Sequence, residues 1–93
     1  MFIAVHHTIT DPDAAFARGQ KLLAGSGAPP GVQVREFYPS RDKADVFCLW
    51  EGGSIEDVRG YVDATLGASS RNAYFEIDAE TAQGLPQLAM SRV

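Results

Sequence analysis

Residues 45–51 read DVFCLWE, and neither alternate set of side chains in that run suits water. Strand residues alternate between faces, so Val46, Cys48 and Trp50 oppose Phe47 and Leu49. A strand apolar on both sides needs a cover on both sides. Residues 2–9 (FIAVHHTI) make a similar demand, with Ile3, Val5, His7 and Ile9 against Phe2, Ala4, His6 and Thr8. The chain has 93 residues, which is one domain's worth, so a second covering layer is hard to supply from within. Cys48 is the only cysteine, which excludes an internal disulfide and fits a reducing, cytoplasmic setting. A partner subunit is the leading expectation for completing the core.

The rest of the chain supplies two helices and two more strands. Asp11-Pro12-Asp13 offers an N-cap, a proline at the first helical position and an acid facing the helix dipole. A helix then runs to about Ala24 with Gly25 as its stop, and Gly19 is read as letting it lie close to a sheet. SGAPPG at 26–31 is a loop, and 32–38 (VQVREFY) reads as a strand that turns through PSRDK into 45–51. Ser54 and Asp57 resemble a capping box, followed by Ile55, Val58, Val62 and Leu66 at helical spacing and Gly67 as a stop. Residues 71–78 (RNAYFEID) form the last strand, and Ala79–Gly84 are expected to make one helical turn.

This βαββαβ order predicts a ferredoxin-like α+β fold. Its four-stranded antiparallel sheet has the order 4-1-3-2, with both helices on one face. One domain spans 1–93, with a core at 2–80 and a tail at 81–93. The other sheet face, apolar as well, is expected to meet a second copy of the chain in a homodimer. A net charge of −4 argues against nucleic acid. The absence of an apolar run of roughly 20 residues argues against a membrane span, and residues 1–9 lack the features of a signal peptide.

HHTITDPDAAF and VFCLWEGGSIEDVRGYV resemble the dimeric α/β-barrel superfamily of small ferredoxin-like proteins over about residues 2–80. In length and texture the chain is nearest to small members without an assigned activity, whose relatives include a nickel-binding ferredoxin-like protein. The superfamily includes cofactor-free monooxygenases of antibiotic biosynthesis, lactone isomerases, polyketide cyclases, haem-degrading enzymes and stress-responsive proteins. The resemblance implies a fold and a pocket, either between sheet and helices or inside the barrel. It carries no mechanism across, because fold alone does not imply function.

Adjacent strand residues face opposite ways, so His6 and His7 cannot serve one site together. With Ile3, Val5 and Ile9 under the helices, His6 is expected on the dimer side and His7 on the helix side. Centring the strands on one another sets Tyr74 opposite His6, Glu76 one diagonal step away, Cys48 nearby and Trp50 near Ala4. A one-residue slip would exchange that set for the other face.

As an acid/base site, His6 would carry the proton, Glu76 or Tyr74 would orient it, and Tyr38, Cys48 and Trp50 would line a pocket for a small, partly apolar molecule. That reading needs no cofactor: a monooxygenase, isomerase or cyclase with a histidine base. The alternative is a non-catalytic protein holding nickel or zinc through His6 and Glu76, or a purely structural dimer in which Cys48, Trp50 and Tyr74 fill the core.

Overall fold

The structure is a computed structural model that describes residues 1–87. Its elements are β1 (Phe2–Ile9), α1 (Pro12–Ala24), β2 (Gln33–Pro39), β3 (Asp45–Glu51), α2 (Ile55–Leu66), a 3-10 turn (Gly67–Ser69) and β4 (Ser70–Glu76). The sheet order is β2-β3-β1-β4, antiparallel throughout, which is the expected ferredoxin-like order counted from the other edge. Residues 88–93, the end of the expected tail, lie outside the described residues.

Both helices start where their caps dictate. The Asp11 carboxylate accepts from the Ala14 N–H and the Ser54 hydroxyl from the Asp57 N–H, each satisfying an otherwise orphaned donor. Gly25 closes α1 at φ 73°, a left-handed conformation that only glycine adopts at little cost. The helices bury one sheet face. Ile3, Val5, Cys48 and Trp50 from the sheet pack with Leu22 of α1 and with Val58, Val62 and Leu66 of α2. Fully burying a side chain of this size contributes about 1.5–3 kcal/mol.

The register differs from the centred pairing by one residue. His6 sits opposite Phe47 and Ala73, Val5 opposite Cys48 and Tyr74, and Ile3 opposite Trp50 and Glu76. Pairing between β1 and β4 begins at Ile9 and Ser70, just beyond the point where the Thr10 and Asp11 N–H groups donate to the Ser69 carbonyl. Those bonds hold the β1–β4 end in this register. On β2, a bulge at Arg35 lets Val34 oppose Trp50 and Glu36 oppose Leu49.

Beyond β4 the chain makes a single turn, with the Ala82 N–H donating to the Asp78 carbonyl. It then returns across the sheet on the side away from the helices. The Ile77 N–H donates to the Phe2 carbonyl at one edge, and the Gln87 carbonyl accepts from Arg35 on the other edge strand. Phe2 and Leu49 belong by register to this second face and are buried. The rest of that face is open, with Phe47 53% exposed, Tyr38 59% and Phe75 55%. Among the described residues no helix is long and apolar enough to cross a membrane.

Candidate functional site between helix α1 and the sheet

The two histidines separate as the alternation requires. His6 lies on the open face, where its ring stacks on Phe47 with centroids 4.5 Å apart and its Nε2 donates to Asp45 at 2.9 Å. His7 lies under the helices, 3% exposed, with Nδ1 2.7 Å from Oδ1 of Asn72.

The one-residue difference in register separates the expected cluster. Tyr38 shares the open face with His6, flanking Phe47 from β2. Cys48 and Trp50 belong instead to the helix side, as do Tyr74 and Glu76 by their pairing with Val5 and Ile3. Glu76 is exposed at the end of β4. Tyr74 turns to α2, where its hydroxyl donates to Asp63. His6 and Glu76, named together as metal ligands, therefore stand on opposite faces. Among the described residues no group of three or more His, Cys, Asp and Glu side chains is placed to hold a metal ion. Arg35 of β2 donates at 2.6 Å to the buried Glu51.

The helix side holds a cavity of about 80 Å³ between α1 and the sheet. Its helical wall includes Ala15, Phe16, Gly19 and Leu22; its sheet wall includes His7, Val46, Cys48 and Trp50. Gly19 does not serve close packing, since a methyl group added there would meet nothing within 4 Å. It widens the cavity instead. Leu23 and Phe37, both partly exposed, also line it and stand on its solvent side.

No carboxylate, ammonium or guanidinium lines the cavity, so a charged guest would lose its hydration without a counter-charge. Three side chains bearing nitrogen or oxygen line it, His7, Gln20 and Trp50. Among the described residues the Nε1–H of Trp50 is buried without a nitrogen or oxygen partner and has only the Cys48 sulfur beside it. His7 makes its hydrogen bond through Nδ1, and Gln20 is exposed. Burial lowers the His7 pKa below its ordinary 6.5, opposed by the Asn72 bond, so the ring is neutral at pH 7. Burial also pushes the Cys48 thiol up to about 12, with the Trp50 indole offsetting part of the rise. Cys48 is thus a small apolar wall residue rather than a nucleophile.

Sequence reasoning missed His7, Asn72 and Gly19 as site residues. The available signal was the alternation itself, which sent His7 to the helix side. Asn72 needed the register to come within reach of it.

A scan against protein-family profiles finds no match, and a comparison with curated protein sequences finds none either. Among solved structures, the chain is similar to that of Rv0793 from Mycobacterium tuberculosis, with a TM-score of 0.56 and 13% identity. The match covers 87% of this chain and 98% of that one. At that identity the likeness speaks to the fold alone: this chain has the small ferredoxin-like α+β fold.

Proposed function

We propose that this chain is a homodimeric small-ligand-binding protein of the α/β-barrel kind, taking an uncharged, partly apolar molecule into the cavity between α1 and the sheet. The observation that carries this reading is an uncharged, mostly apolar cavity whose walls include a buried indole N–H without a nitrogen or oxygen partner and an imidazole bonded through Nδ1 alone. Leaving the buried donor unpaired costs about 1–3 kcal/mol, which a guest with a matching acceptor would recover. The chemistry such a site supports is removal of a proton from the guest by neutral His7. That step serves a cofactor-independent oxygenation, isomerisation or cyclisation, with His7 in the role first assigned to His6. The dimer in this reading forms through the open sheet face, where Phe47, Tyr38 and Phe75 surround His6.

The test is a titration of isotope-labelled protein with phenol and with benzoate, followed through backbone amide signals. Phenol should shift the amides of His7, Val46, Cys48 and Gly19, and benzoate should leave them in place. Gly19→Leu, which fills the cavity, should abolish the phenol response. Equal shifts with both probes, or a phenol response confined to residues outside the cavity, would refute the reading.

A further inference from the structure

We propose that Asp63 and Asn72 are positioning residues that dictate which nitrogen of His7 carries the proton, so that the cavity is offered a hydrogen-bond acceptor and selects guests bearing a donor. The inference deepens the reading above and rests on it only for the consequence in binding.

A carboxylate can only accept hydrogen bonds. Asp63 Oδ1 lies 2.9 Å from one terminal atom of the Asn72 side chain, so that atom must be the NH₂ group. The same oxygen accepts from the Tyr74 hydroxyl. Tyr74 remains a donor because burial, reinforced by the Asp63 carboxylate, raises its pKa. The Arg59 guanidinium stands 5.2 Å over the Tyr74 ring and supports it from outside.

With its NH₂ committed to Asp63, the Asn72 amide must turn its oxygen the other way. Two groups meet that oxygen. The Ser70 hydroxyl donates to it at 2.8 Å, and His7 Nδ1 lies 2.7 Å from it. Two acceptors at that distance would repel, so Nδ1 carries the hydrogen and donates it. A neutral imidazole has one N–H, so Nε2 is left with its lone pair. His7 lines the cavity and Nε2 has no partner among the described residues. An exposed carboxylate on a helix thus sets the polarity of one ring nitrogen of His7 through one amide. Reversing the amide would place a carbonyl against Asp63 and turn His7 into a donor toward the cavity.

Consequently a guest must donate to His7 and accept from Trp50. A neutral hydroxyl compound meets both requirements, whereas an ether or ketone of the same shape meets only the second.

The experiment reads the tautomer directly, from long-range ¹⁵N–¹H correlations of the His7 ring at pH 8, without any guest. The full chain should show the proton on Nδ1. Asp63→Ala should shift a substantial fraction to the Nε2–H form while amide spectra report an intact fold. In Asp63→Ala combined with Asn72→Asp, an acceptor-only group stands beside His7 again, and the Nδ1–H form should return. A proton on Nε2 in the unaltered protein would overturn the inference, as would an unchanged tautomer in Asp63→Ala. Phenol affinity should fall about threefold to tenfold in Asp63→Ala, the worth of one hydrogen bond. A shifted tautomer with undiminished phenol affinity would refute His7 as the guest's acceptor and leave the control by Asp63 standing.

Discussion

His6 and His7, consecutive on β1, belong to opposite sides of one sheet: His6 stacks on Phe47 at 4.5 Å on the open face, and His7 is bonded at 2.7 Å to Asn72 beneath the helices. One step along a strand thus divides the molecule's two candidate interactions. The open face is where the proposed dimer would form, and the covered face holds the cavity.

The open face can be tested by charge. Phe47 is 53% exposed in the middle of the apolar surface. If the proposed dimer forms through this face, Phe47→Glu should weaken association at least about 100-fold, as loss of a central aromatic anchor does. The monomer's fold should survive, because the helix-side core is untouched. Sedimentation velocity across a concentration series checks the first outcome, and far-UV circular dichroism the second. A dimer of unchanged affinity would place the interface elsewhere.

Stability should depend on the protonation of His7. Its folded pKa is lowered by burial, so between that value and the unfolded 6.5 the unfolded chain binds the extra proton. Stability then rises with pH through this window. The His7 contribution should be level above about pH 7, decline as pH falls below 6.5, and level again beneath the folded value. Urea titrations of the unaltered protein and of His7→Gln should differ by this step, with the variant lacking it.

Gly19 offers a separation of stability from binding. A methyl group there meets nothing within 4 Å and relieves the cost of a glycine inside α1. Gly19→Ala should stabilise the fold by about 1 kcal/mol, raising Tm by about 4–8 °C for a domain of this size. It should also weaken phenol binding, since the methyl occupies cavity space. Calorimetry of the two proteins reads both effects.

Cys48 should resist modification while the chain is folded. With its pKa at about 12, only about one thiol in 10,000 is ionised at pH 8. Reaction with Ellman's reagent should therefore be negligible in buffer and complete in denaturant. Rapid reaction of the native protein would contradict the assignment of Cys48 as an inert wall residue.

What could be read in advance follows the range of the forces involved. The caps at Asp11 and Ser54, the stops at Gly25 and Gly67, and the strand at 45–51 depend on neighbours a few residues away. They stand where local chemistry puts them. The fold followed from their order, and the division of His6 from His7 from the two-residue period of a strand. The cluster around His6 was another matter. Both alternate sets of β3 are apolar, so hydrophobicity could not choose between adjacent registers. The observed register goes with end contacts, the Ile9 N–H to the Ala44 carbonyl between β1 and β3 and the Ser69 contacts between β1 and β4, and with how Trp50 and Cys48 fill the space under the helices. Asn72 reaches His7 across 65 positions of chain, and Asp63 reaches Asn72 from a different element. By itself, then, the sequence determined the elements, their order and the face each side chain could take. Tertiary structure alone decided which faces met, because strand pairing is set by packing and end contacts between segments far apart in the chain.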